Sequence, residues 1–224
     1  MATKTEHIGI LGLGSRSTQF YLDMLNKKYH EKYGDYHTCP FILYNIDFNS
    51  LNNYLPNKFN KLTLALNKHL DALFNLPIKI CIIPNITLHE AYDFGGFDYK
   101  ILHPITLCIN YLKKHQIKKI TLFGSLYTMQ SDYITSKLAA KGIQVFIPIE
   151  VHLKELDTLR KKAYNRSETP SDMNRYHDLL NKYSNHSHVL LACTELSILS
   201  HQIEKINVID MATLQIDKAL SLIN

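Results

Sequence analysis

HVLLACTELSIL, residues 188–199, sets an apolar run directly against the start of a helix. The run 188–192 reads as a buried apolar strand, and Thr194 and Glu195 open a helix directly after it, so Cys193 stands at a strand-to-helix junction. Unpaired backbone N–H groups and the positive end of a helix dipole favour ionised sulfur, so Cys193 is expected as a thiolate. A second stretch, CIIPNITLHEAYDF at 81–94, has the same layout: an apolar strand ending at Asn85, then Thr87 and His89 leading into a helix that Gly95 and Gly96 stop. The two segments read as two halves of one site, with Cys193 at one strand end and Asn85 at the other.

Working outward, short apolar runs alternate with longer segments of helical period. Strands are predicted at 7–11, 41–46, 78–83, 120–124, 143–147, 188–192 and 206–210. Helices are predicted at 16–33, 59–75, 105–116, 131–141, 151–164, 171–183 and 211–223. This alternation predicts an α/β chain with parallel sheets. IGILGLGSRSTQFYLDML and ITLFGSLYTMQSDYITSKL share a strand, a glycine (Gly12, Gly124), a serine soon after it and a tyrosine nine residues on (Tyr21, Tyr133), which suggests two related halves.

Composition narrows the class. The chain has 224 residues, 46% hydrophobic and 20% charged, enough to bury a sizeable core as one large or two small domains. No run of about 18 apolar residues occurs, so neither a signal peptide nor a membrane span is expected, and the cytoplasm is the expected compartment. Cys39, Cys81, Cys108 and Cys193 form no C-x-x-C pair, which fits reduced thiols better than a disulfide framework or zinc site. The net charge of +5 is spread along the chain, so nucleic acid is not an expected partner. Gly12-Leu13-Gly14 lacks the third glycine of a dinucleotide fingerprint, and the histidines lack metal-ligand spacing, so neither a nicotinamide cofactor nor a metal is expected.

HVLLACTEL, IIPNITLHE and KKITLFGSLYTMQSDYITSKLAAKGIQVFIP together resemble the aspartate/glutamate racemase superfamily of cofactor-independent isomerases. The most specific piece is Cys193-Thr194-Glu195; next comes Gly124, Ser125, Thr128 and Met129; GILGLGSRSTQFY is similar to a shortened form of the family's N-terminal glycine motif. The resemblance implies two pseudo-symmetric three-layer α/β domains with parallel sheets and an active site in the cleft between them: 1–101 with 208–224 as the Asn85 lobe, and 102–207 as the Cys193 lobe. It also implies an acidic amino acid or dicarboxylate as substrate, no cofactor, and a homodimer. The family's second cysteine falls on Cys193. Its first falls on Asn85, with Ile86, Thr87 and His89 at the positions of the Asn, Thr and His that follow.

That departure limits the chemistry. Inverting an α-carbon requires one group to remove a proton from one face and another to supply a proton to the opposite face. Cys193 is suited to the first task, whereas the carboxamide of Asn85 is neither acid nor base near neutral pH and is suited only to hydrogen-bonding an enolate oxygen. His89 is the candidate second acid, with capping or orienting the loop as its competing use. Thr87, Ser125, Thr128, Thr194 and Glu195 fall where loops and helix starts converge and are candidate substrate ligands, with helix capping as the alternative for the hydroxyls. Ser15, Arg16 and Ser17 in the glycine loop are candidates to clamp a distal carboxylate. Three readings remain: an amino-acid racemase with an unusual second acid, a single-cysteine isomerase or decarboxylase of a dicarboxylic acid, and a non-catalytic binder of an acidic metabolite.

Overall fold

The computed structural model describes residues 7–56, 58–200 and 207–223, and the chain divides into two compact units. One runs to His103 and takes the chain up again from Gln215; the other is Pro104–Leu214.

The first unit is built on three parallel strands, β1 (His7–Gly12), β2 (Phe41–Asn45) and β3 (Ile78–Ile82), in the order β2-β1-β3. Ile8 to Gly12 pair in register with Phe41 to Asn45, and Ile8, Gly9 and Ile10 face Ile80, Cys81 and Ile82 on the other side. Helices α1 (Ser15–Tyr33), α2 (Asn49–Asn52), α3 (Phe59–Phe74) and α4 (Leu88–Gly95) connect and follow these strands. Leu62, Leu66, Leu70 and Leu73 recur at helical spacing along α3, so one face of that helix packs with Leu11, Cys81, Ile83 and Leu88 into a single apolar cluster. Burial of those fully covered leucines is the main stabilising term, about 2 kcal/mol for each side chain removed from water.

The second unit has four parallel strands, β4 (Lys119–Phe123), β5 (Gln144–Phe146), β6 (His188–Leu191) and β7 (Val208–Asp210), in the order β5-β4-β6-β7. Around them run α5 (Pro104–Lys114), α6 (Leu126–Gln130), α7 (Tyr133–Ala139), α8 (Glu150–Asn165), α9 (Pro170–Ser184) and α10 (Thr194–Ser200), and α11 (Met211–Leu220) ends the chain. β4 and β6 are covered almost throughout, as strands of a parallel sheet must be. Because β7 pairs with β6, residues 208–210 belong to the second sheet and not to the Asn85 lobe; the return to the first unit falls inside α11. Residue 206, the start of the last predicted strand, lies outside the described residues. The two predicted segments 120–124 and 131–141 are observed as β4 and α7, with the extra turn of α6 between them.

Each unit repeats one pattern of connections. The first strand lies inside the sheet, the second is added on one side, and the third returns to the other. The point where the order reverses, beyond the carboxyl ends of β1 and β3 or of β4 and β6, is where open α/β sheets bind ligands, because the chains leaving there diverge and leave a crevice. Residues 12–17 and 83–89 flank that point in the first unit, and residues 124–128 and 192–195 flank it in the second.

A buried polar link closes the first unit where the chain leaves and re-enters it. Gln215 is fully covered; its Nε2 donates to the Leu102 carbonyl at 2.6 Å and its Oε1 accepts from the Tyr21 hydroxyl, also at 2.6 Å. Gln215→Leu leaves the Leu102 carbonyl without this donor and removes the acceptor of the Tyr21 hydroxyl, and is expected to lower stability by about 1–3 kcal/mol in urea denaturation followed by circular dichroism. Tyr21→Phe, which leaves one Gln215 oxygen unpaired, should cost about 1–2 kcal/mol; no loss in either variant would remove the link from the account.

Candidate active site

In the first unit the glycine loop is tight because Gly12 abuts the side chains of Leu43 and Asn45, leaving no room for a Cβ. The loop is then tied to the start of α1: Leu13 N–H donates to Thr18 Oγ1 at 3.1 Å, and Ser17 Oγ donates to the Gly14 carbonyl at 3.0 Å. Ser17, a candidate carboxylate clamp, is buried, and its hydroxyl donates within the loop and so braces it. Ser15 is exposed on the first turn of α1, and Arg16 beside it is half-buried.

At the end of β3, Asn85 is half-buried and holds the entry to α4 from two sides. Its Oδ1 accepts from Leu88 N–H at 3.1 Å, and its carbonyl accepts from His89 Nδ1 at 2.9 Å. With Oδ1 so engaged, the carboxamide Nδ2 has no hydrogen-bond partner among the described residues. Thr87 is half-buried just before α4 and makes no side-chain cap.

His89, expected as the second acid with orienting the loop as its competing use, is tied to the turn before α4. The ring is fully buried, and donation to a carbonyl fixes the proton on Nδ1 and leaves Nε2 a bare, unpartnered acceptor. Burial first, and the neighbouring His103 second, push its pKa down to about 3, so it is neutral at physiological pH. Its ring packs edge-on against His103, with centroids 5.0 Å apart, under the turn that carries Asn85.

In the second unit, β4 runs into Gly124, where a Cβ would come within 2.9 Å of Thr128. Ser125 caps α6: its Oγ accepts from Thr128 N–H at 3.1 Å and pairs with Thr128 Oγ1 at 2.8 Å. Leu126 N–H donates to Asp157 Oδ1 of α8 at 3.1 Å, anchoring this turn to the helix that follows β5.

Cys193 follows β6 with 8% of its surface exposed. Its carbonyl accepts from Leu196 N–H and Ser197 N–H, starting α10, and its Sγ donates to Glu195 Oε2 at 3.0 Å. Thr194 is buried with its Oγ1 unpartnered, and Glu195 is half-buried. The expected thiolate is not what this geometry favours. Burial, then the charge of Glu195 and the hydrogen bond to it, raise the thiol pKa well above its ordinary value; the guanidinium of Arg160 and the Leu196 N–H act the other way and are outweighed. Cys193 is therefore a thiol with a carboxylate beside it.

Asp157 and Arg160 of α8 form a largely covered charged pair that the sequence does not single out. Arg160 Nε donates to Asp157 Oδ1 at 2.9 Å, and Lys161 Nζ reaches Asp157 Oδ2 at 2.8 Å. In the sequence they belong to the charged stretch 151–164, which reads as a solvated face; their position flanking Leu153, Leu156 and Ala163 on the buried side of α8 was the available signal. Asp210, at the end of β7, accepts from Ala212 N–H and Thr213 Oγ1 and so caps α11, and it also receives the Ser197 hydroxyl at 2.7 Å. Among the described residues, no three His, Cys, Asp or Glu side chains are placed to hold a metal, and no helix is long and apolar enough to cross a membrane.

The state of His89 has a measurable consequence. Its folded pKa lies below its ordinary 6.5, so between 6.5 and about 3 the unfolded chain binds a proton that the folded chain refuses, and stability falls as pH falls through that window. The slope from this residue is about 1.4 kcal/mol per pH unit. His89→Gln should flatten the decline between pH 6 and 4.5 in pH-dependent urea denaturation by roughly that slope; an unchanged profile would show that the imidazole is not buried and neutral.

The fold resembles that of solved racemases. An aspartate racemase homologue from Pyrococcus horikoshii OT3 superposes with a TM-score of 0.81 at 21% identity, covering 97% of this chain and 98% of that one. Picrophilus torridus aspartate racemase gives 0.79 at 22% identity, covering 97% and 94%. Glutamate racemase from Bacillus anthracis gives 0.60 at 15% identity, covering 98% and 82%. A search of curated proteins finds no match. The Asp/Glu/Hydantoin racemase family model matches residues 8–219, nearly the whole chain, and the chain therefore belongs to that family.

Proposed function

We propose that the protein is a cofactor-independent isomerase of an acidic amino acid in which Cys193 moves the α-proton with Glu195 as its proton partner. The observation that carries this reading is the 3.0 Å contact between Cys193 Sγ and Glu195 Oε2. In the forward direction the Glu195 carboxylate takes the thiol proton, the sulfur so freed takes the α-hydrogen of the substrate, and the electron pair of the broken C–H bond moves into the substrate carboxylate as an enediolate. Return of the proton from Cys193 gives exchange with retention, and protonation of the enediolate by a water molecule on the opposite face gives the inverted product. The buried, unpartnered hydroxyl of Thr194, next to Cys193 in the second unit, supplies a polar contact for the substrate. Ser125 and Thr128 belong to the turn after β4 in the second unit, and Thr87, Ser15 and Arg16 remain the candidates from the first unit.

A second reading is favoured by one observation. With His89 buried and neutral, neither it nor Asn85 has a proton to give near neutral pH. Cys193 then protonates an enediolate from one face only, as in the isomerisation or decarboxylation of a dicarboxylic acid, and inversion would need a water molecule on the opposite face.

Incubation with L-aspartate or L-glutamate in D2O separates the readings, with NMR reporting α-deuteration and chiral chromatography reporting configuration. Deuteration should fall by about a hundredfold or more in Cys193→Ala. Inversion alongside deuteration supports the racemase; deuteration with retained configuration supports the one-sided thiol. Equal exchange in wild type and Cys193→Ala would contradict both. Asn85→Cys supplies a thiol at the first strand end, and it should raise the ratio of inversion to exchange if a missing second acid is what limits the enzyme.

A further inference from the structure

Positive charge that is spread along the sequence is gathered by the fold of the second unit at one end of its sheet. In a parallel sheet all the amino ends lie on one side, so the starts of β4, β5 and β6 stand together, away from the carboxyl ends that lead to Gly124 and Cys193. Lys119 is in register with Gln144 and Ile120 with His188, and Gln144 N–H donates to the Lys118 carbonyl at 2.8 Å. Ile117 N–H donates back to the Leu112 carbonyl at 2.9 Å, which folds Lys113, Lys114 and His115 against the start of β4. Lys141 lies in the turn between α7 and β5, its N–H bonded to the Leu138 carbonyl at 2.9 Å. These five lysines and His115 are exposed, and the segments that meet here, 112–120, 140–144 and 184–188, contain no Asp or Glu.

Two ordinary uses of surface lysine do not account for them. The salt bridges of this unit lie on α8 and α9, and none of the five lysines takes part in an ion pair among the described residues. The carboxyl ends of α5, α7 and α9 carry about half a negative charge each, which offsets about one and a half of the five positive charges. What is left is a cluster of uncompensated ammonium groups, point charges that suit phosphate oxygens and read no base sequence. Beside them the exposed His115 ring stacks on Tyr111, with centroids 4.3 Å apart and planes 32° from parallel. An exposed flat ring next to a phosphate-binding cluster is a platform for an unpaired base.

We propose that the amino-end face of the second sheet binds single-stranded RNA, with its phosphates on Lys113, Lys114, Lys118, Lys119 and Lys141 and a base stacked on His115. An even spread of charge along the chain argues against such a partner; the strand register is what collects the charge into a surface. The face lies at the other end of the sheet from the Cys193 turn and shares no residue with it.

Fluorescence anisotropy of the full chain with a labelled oligo(U) of about twelve nucleotides tests the proposal. Wild type should bind saturably at about 50 mM salt, and three or four neutralised phosphates should make binding roughly 20- to 50-fold weaker at about 200 mM. The double variants Lys113→Gln with Lys114→Gln, and Lys118→Gln with Lys119→Gln, should each weaken binding by roughly tenfold at the lower salt and make it less salt-dependent. Lys61→Gln with Lys68→Gln, which removes the same charge from exposed positions of α3 in the first unit, should leave binding unchanged. His115→Ala should weaken oligo(U) by about fivefold or more and leave inorganic polyphosphate, which has no bases, unaffected. Absence of saturable binding, equal loss in the α3 variant, or an affinity indifferent to both lysine pairs would overturn the proposal. Indifference to His115→Ala, with polyphosphate bound as tightly as oligo(U), would overturn the assignment to RNA, as would sedimentation with phosphatidylserine vesicles in the absence of oligo(U) binding. Cys193→Ala should bind oligo(U) as wild type does, so this result and the fate of the isomerase reading are independent.

Discussion

In both units a parallel strand gives way to a helix over two to five residues, and the backbone groups exposed at that junction have to find partners at once. The chain solves this locally: Thr18 for Leu13, Ser125 for Thr128 and Asn85 for Leu88. Because parallel sheets reverse their strand order at these places, the same residues that satisfy the backbone also border the crevice where a ligand fits. Capping and substrate binding are then not alternatives. Asn85 caps with its oxygen and keeps its NH2 for other use, whereas Ser17 spends its only proton on the loop and has none to offer.

Electrostatics at Cys193 follow from the same economy of space. A thiol in a covered turn gains nothing from ionising unless positive charge outweighs the loss of water, and here the nearest charge is a carboxylate. Glu195 makes the thiol a poor nucleophile at rest and at the same time provides the acceptor through which it can lose its proton during a reaction. Arg160 opposes Glu195, and the helix α8 that carries it is tied through Asp157 to the turn after β4. Thiol, carboxylate, guanidinium and the Ser125 turn are thus one connected cluster of the second unit.

Much of this was legible in the sequence because the signals were periodic or local. Seven apolar runs became seven strands among the described residues, and the leucines of α3 announced its buried face by their spacing. The junction residues Cys193, Asn85 and Gly124 were found because each ends a strand. What could not be read were properties set by residues distant in sequence. The charge state of Cys193 depends on how deeply the turn is covered and on the side chain two residues later; that of His89 depends on its burial and on His103. Membership of β7 in the second sheet depends on pairing with β6 and not on anything within 208–210. Asp157 and Arg160 carry the pattern of an ordinary exposed helix pair, and only the packing of α8 shows that they are covered.

Cys193 rests as a thiol because its turn is buried and, second to that, because Glu195 stands against it. The direct measurement is an NMR titration of the 13Cβ of Cys193 in protein labelled at cysteine, in wild type and Glu195→Gln, with Cys193→Ala to assign the resonance. The account predicts a wild-type signal characteristic of S–H through neutral pH and a clear downward shift of its midpoint in Glu195→Gln. A wild-type thiolate at neutral pH, or a midpoint indifferent to residue 195, would contradict it.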